Sequence, residues 1–138
     1  MHDTVNLFRE QTRMMFRPID GLTYDEVESI VRSYVLSVIT DSELPVTVTD
    51  VILSGSRCRG LEREDSDLDA VVEYDGSIHE DSLFNILNAD GFTLGGIRLD
   101  INPICPDQTG TLLTYLPRAA HYLSENKEDL RCYDLLNA

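Results

Sequence analysis

Two apolar runs rich in β-branched residues, 46–53 and 67–74, flank a polar stretch that opens on Ser54-Gly55-Ser56. Runs of this kind read as strands. The second carries Asp67 and Asp69 at i, i+2, which an extended chain sets on one face with Leu68 turned away. Carboxylates held side by side repel unless a cation sits between them. Gly55 lets the backbone approach a ligand closely, and Ser56 adds a hydroxyl and an N–H. The residues after it can turn further N–H groups inward as an anion nest. A phosphate-sized turn beside a divalent-cation site is what phosphoryl or nucleotidyl transfer requires.

The rest of the chain supplies helices and one hairpin. Residues 6–16 suggest a short helix with Leu7, Met14 and Met15 turned inward, ended by Pro18 and Gly21. Thr23 and Glu26 form a capping box ahead of Val27, Ile30, Val31, Tyr34, Val35, Val38 and Ile39 at helical spacing, which predicts a helix over 24–41. Residues 79–87 read as a helix closed by Gly91. Gly95-Gly96 is a two-residue hairpin signal between 92–94 and 97–101, with Ile97, Leu99 and Ile101 on one face and Arg98 and Asp100 on the other. Pro103 and Pro106 mark a loop, and Thr109 or Thr111 caps a last helix over 111–125, kinked at Pro117.

A chain of 138 residues suits one domain, 1–138, with a signature core at 46–104 and flanking helices at 24–41 and 111–125. Cys58, Cys105 and Cys132 form no CxxC pair and suit free thiols in a reducing, cytoplasmic setting. No apolar run is long enough to span a membrane, so no membrane partner is expected. A net charge of −14 works against binding a phosphate backbone, so nucleic acid is not an expected partner either. A single nucleotide is compatible with that charge, because a metal ion and a few local arginines can reverse the field inside one cleft.

With Asp100 on a strand beside Asp67 and Asp69, three carboxylates converge in an oxygen-only site suited to Mg²⁺ or Mn²⁺ rather than zinc. Asp100 is the candidate to orient or deprotonate an attacking hydroxyl. Arg57 and Arg59 can clamp phosphate oxygens, or pair on the surface with Glu62, Glu64 and Asp65. Arg98 can pair with Asp100 or reach substrate. Glu73 shares the face of Asp69 but stands too far along to bind the same metal. Cys58 fills space in the turn, and His79 and His121 are surface or packing residues.

The run Gly55-Ser56-Arg57-Cys58-Arg59-Gly60, then Ser66-Asp67-Leu68-Asp69, then Leu99-Asp100-Ile101 resembles the DNA polymerase β-like nucleotidyltransferase superfamily, most closely its minimal members. The tail, with Thr109-Gly110-Thr111 and Tyr115-Leu116-Pro117-Arg118, also looks like nucleotidyltransferase modules of large plasmid and phage proteins. The resemblance implies an α+β, two-layer fold: a mixed sheet with helices mainly on one face. It implies transfer of a nucleoside monophosphate, AMP the expected group, from an NTP with release of pyrophosphate. Gly55 and Ser56 would hold the β- and γ-phosphates, Asp67 and Asp69 would bind both metals, and Asp100 would complete the site where the nucleophile enters. ATP and Mg²⁺ (or Mn²⁺) are the implied substrate and cofactor. The acceptor would be a protein, such as a toxin, or a small hydroxylated molecule. The alternative is a non-catalytic nucleotide-binding or antitoxin-like module on the same fold, since little chain remains for an acceptor-binding domain.

Overall fold

The computed structural model describes residues 3–55 and 66–115. Its elements run α1 (Asp3–Met15), α2 (Tyr24–Asp41), β1 (Val46–Ser54), β2 (Leu68–Gly76), α3 (Glu80–Leu87), β3 (Thr93–Leu94) and β4 (Ile97–Ile104). The four strands form one mixed sheet in the order β1-β2-β4-β3. β1 pairs antiparallel with β2, β2 parallel with β4, and β3 antiparallel with β4. A parallel pair needs a crossover, and α3 lies in the segment that supplies it. Helices and a mixed sheet make the expected α+β architecture, with α2 and α3 on one face of the sheet and α1 on the other rather than two layers alone.

The main core lies between the sheet and α2 with α3. Tyr24, Val27, Val31, Val35 and Ile39 of α2 are buried on one stripe, against Val51 and Leu53 of β1 and Leu68, Ala70, Val72 and Tyr74 of β2. Each valine, leucine or isoleucine among them contributes about 1.5–3 kcal/mol when fully buried. The bounds of α2 match the expected 24–41, because the capping box forms: Glu26 N–H donates to the Thr23 hydroxyl at 3.4 Å, and Thr23 N–H donates to the Glu26 carboxylate at 3.0 Å. Thr23→Ala is expected to cost about 1 kcal/mol of stability, read by denaturant unfolding.

A smaller core covers the other face of the sheet, where Val5 and Phe8 of α1 and Leu112 pack on Ile52, Val71 and Ile104. The inward stripe of α1 is therefore Val5, Phe8 and Thr12, while Leu7, Met14 and Met15 are exposed, contrary to expectation. The spacings 5–8 and 8–12 make a helical stripe of their own, and Leu7 and Met14 fall on its opposite side.

The loop expected at Pro103 is strand instead, since β4 runs on to Ile104. β3 pairs only with Ile97 and Arg98, so farther along β4 has an open edge. There the Asn88 side chain takes both backbone groups of Ile101, receiving its N–H at 3.0 Å and donating to its carbonyl at 2.9 Å. Two residues on, Pro103 presents its nitrogen to that same edge, where no N–H is needed. Among the cap candidates, Thr111 receives Thr114 N–H at 3.3 Å and opens a helical turn at 112–115. Thr109 binds Glu80 instead. Pro117 and the rest of the expected last helix, to 125, lie outside the described residues.

At the open edge of β1, four charges meet. Arg9 donates to Glu28 at 3.0 Å and to Asp50 at 3.2 Å, and Arg32 donates to Asp50 at 3.2 Å and to Glu28 at 3.5 Å. Burial works against the Arg9 charge, but Glu28 and then Asp50 outweigh it and raise its pKa.

Candidate active site

The site is built at one end of the sheet, where β1 finishes and β2 begins. Leu68, Ala70 and Val72 of β2 alternate into the main core, so Asp69, Val71 and Glu73 occupy the other face. Leu99 and Ile101 of β4 do the same and leave Asp100 on the face of Asp69. Asp69 registers with Asp100 on the adjacent parallel strand, about 4.8 Å away at strand spacing. Asp67 stands just before the first residue of β2 rather than within it, correcting its expected place in the strand.

Ser54 pairs across with Asp69 on the antiparallel side, and Gly55 follows with φ +82°. A methyl group built on Gly55 would fall on the Asp69 carboxylate, 3.0 Å from Cγ and 3.1 Å from Cβ. Glycine thus meets two demands at this corner, a left-handed backbone and direct contact between main chain and carboxylate. The strand pairing brings Ser54, Gly55, Asp69 and Asp100 together.

The electrostatics follow from that packing. Burial first, then Asp100 and then Asp67 push the Asp69 carboxyl up from 3.8 to about 7. Among the described residues no positive charge offsets the ionised form of Asp69, and an oxygen-only donor set of this kind fits a hard divalent cation. Among the described residues, no group of three or more His, Cys, Asp or Glu side chains is placed to enclose a metal ion. Ser56, Arg57 and Arg59, together with Cys58 and Glu62 to Asp65, lie outside the described residues, as does His121.

The other candidates resolve into structural roles. His79 caps α3, its Nδ1 accepting from Asp81 N–H at 3.2 Å. Arg98 is exposed, and no ion pair joins it to Asp100. Glu73 accepts from Leu112 N–H at 3.2 Å and so fastens the turn at 112–115 to the sheet. A pocket of about 200 Å³ opens near Glu73, lined also by Val5, Thr49, Asp50 and Thr111 to Leu113. The Ile52 and Val71 packing stands between it and Asp69. Ser54 was not among the candidate site residues, although its place at the strand end ahead of Gly55 was a usable signal.

No helix among the described residues is long and apolar enough to cross a membrane. No curated protein and no solved structure matches the chain significantly. A family model described as the nucleotidyltransferase domain matches residues 35–130, from within α2 past the end of the described fold. That span takes in the Gly55 corner, Asp67, Asp69 and Asp100, and is consistent with a minimal member of the polymerase β-like superfamily. The chain belongs to the nucleotidyltransferase domain family.

Proposed function

We propose that this domain transfers a nucleoside monophosphate, AMP the expected group, from an NTP to a hydroxyl of a protein or small molecule and releases pyrophosphate. The observation that carries the reading is the corner where Gly55 lies against Asp69 while Asp69 registers with Asp100. Asp67, Asp69 and Asp100 would hold Mg²⁺ or Mn²⁺, which when bound supplies charge neutralisation for the triphosphate and the departing pyrophosphate.

The chain's own residues account for the remainder. Gly55, lacking a side chain, brings backbone N–H groups close to the phosphates, with Ser56, Arg57 and Arg59 as further donors. Asp100 orients the acceptor hydroxyl and takes its proton. The acceptor oxygen then bonds to the α-phosphorus, and the bond to the bridging oxygen breaks. The electron pair leaves with pyrophosphate.

A second reading, a non-catalytic nucleotide-binding or antitoxin-like module, is favoured by one observation. The three aspartates do not form a closed metal cluster among the described residues. Labelled ATP, Mg²⁺ and cell lysate separate the two readings. The wild type is expected to label an acceptor, and the Asp67→Ala/Asp69→Ala double variant to leave none labelled. Equal labelling by both proteins would sink the catalytic reading. Calorimetric binding of ATP without transfer would select a nucleotide-binding module, and failure to bind any NTP would leave only the antitoxin-like scaffold.

A further inference from the structure

We propose that Arg9, Arg32 and Asp50 close the free edge of β1 against strand pairing with a second copy of this chain. The device is independent of the transfer chemistry.

β1 is the outermost strand, and among the described residues no strand pairs with its outer side. An edge of this kind offers unpaired N–H and C=O groups to any other chain. In a strand the N–H and C=O of one residue point to the same side. At Val51 that side is the outer one, and side chains take both groups. Its N–H donates to the Asp50 carboxylate at 2.8 Å, and its carbonyl accepts from Arg9 at 3.2 Å and from Arg32 at 3.3 Å. Arg9 comes from α1 and Arg32 from α2, which pack on opposite faces of the sheet. The two guanidiniums therefore meet around the edge. Asp50 accepts from both at 3.2 Å, and Glu28 accepts from them at 3.0 and 3.5 Å, which holds two like charges together. Val51 keeps no exposed surface. The pairing with β2 also shifts between Val48 and Asp50, and such a bulge makes an edge a poorer template.

The open edge of β4 is closed residue by residue as well. Its outward N–H positions are Leu99, Ile101, Pro103 and, just past the strand, Cys105. Leu99 N–H donates to the Phe92 carbonyl at 2.9 Å, and Asn88 takes both groups of Ile101. Pro103 has no N–H, and Cys105 N–H donates to Glu80 at 2.8 Å. Glu80 and Asn88 stand at the two ends of α3, so a whole helix serves that edge. At Val51 the partners are charged side chains alone, and substitution can remove them. Reopened, Val51 has the groups for an antiparallel, two-fold pairing that exchanges both bonds with the second copy's Val51.

The test is an Arg9→Met/Arg32→Met variant, which keeps the apolar stems and removes the donors to Val51. Two positive charges are lost, so net charge goes from −14 to −16 and repulsion between copies rises rather than falls. In sedimentation equilibrium the wild type is expected to hold its monomer mass of 15.6 kDa. The variant is expected to approach twice that mass between roughly 10 µM and 1 mM, the range in which exposed strand edges associate. A sample mixing labelled and unlabelled variant should then show intermolecular NOEs between residues 50–52 of the two copies. Arg13→Met, which removes an exposed pair with Asp25, is expected to stay monomeric. A folded variant that stays monomeric would overturn the proposal, as would a dimer without those NOEs or a wild type that already shows them. If the double variant does not fold, Arg32→Met/Asp50→Ala is read in the same way. It takes the acceptor from Val51 N–H and one donor from its carbonyl while leaving the Arg9–Glu28 pair intact.

Discussion

Asp69→Asn is expected to make the metal-free protein more stable at pH 8 while sharply slowing the proposed transfer. The folded carboxyl is lifted from 3.8 to about 7, chiefly by burial and then by Asp100 and Asp67. A folded-state pKa above the unfolded value means that the folded protein holds a proton the unfolded chain has already released. Stability therefore falls as pH rises from about 4 to about 7 and levels off above that. At about 1.4 kcal/mol per pH unit, the wild type forgoes up to about 4 kcal/mol by pH 8. Asn has the shape of the protonated acid and no charge to ionise. Its advantage should thus be absent near pH 4 and full at pH 8 in thermal or denaturant unfolding. Mg²⁺ should narrow the gap by supplying a positive charge beside the ionised carboxylate. The same variant should lose about 10²–10³-fold in transfer rate, the scale for removing a group that manages transition-state charge. An Asn variant with no pH-dependent gain in stability would show that the Asp69 charge is not strained in the fold.

Gly55→Ala should remove transfer at a structural cost that its neighbour in this comparison, Gly96→Ala, does not share. Both glycines have left-handed backbones, φ +82° and +79°, so each substitution carries about 1–2 kcal/mol of backbone strain. At Gly96 an added methyl group meets nothing within 4 Å. At Gly55 it strikes the Asp69 carboxylate. The Gly55 variant should therefore be the less stable of the two and lose about 100-fold or more in kcat/KM, while Gly96→Ala keeps its activity. A double-mutant cycle identifies the cause: combined with Asp69→Ala, the Gly55→Ala cost should shrink toward the bare strain. Additive stabilities would place the conflict elsewhere than Asp69.

Local chemistry was the legible part of this chain. Thr23 and Glu26 announce the start of α2 because a capping box involves only neighbouring residues. Gly95-Gly96 announces the hairpin because both residues adopt positive φ there. The alternation of Leu99, Asp100 and Ile101 places Asp100 on the correct face before its neighbour strand is known. What the sequence hid is what depends on partners. Pro103 reads as a breaker until the open edge of β4 is seen. Val46 to Leu53 reads as one unbroken strand because the shift of alternation from Val46 and Val48 to Val51 and Leu53 gains its meaning only once the pairing with β2 is seen. Leu7 and Met14 read as inward because hydrophobicity alone cannot say which stripe of α1 meets the sheet. Arg9, Arg32, Glu28 and Asp50 are far apart in sequence and look like ordinary surface charge until α1, α2 and β1 are assembled.

The parallel pairing of β2 with β4 bears on when the candidate site can exist. Local hairpins close quickly, whereas a parallel pair must first close the long segment that carries the crossover. Asp69 and Asp100 are thus strangers in the unfolded and nascent chain, and their mutual repulsion arises only at the step that completes the sheet. Pairing β2 with β4 therefore brings two carboxylates together that the unfolded chain keeps apart. A divalent cation that neutralises the pair would favour the paired state over the unpaired one.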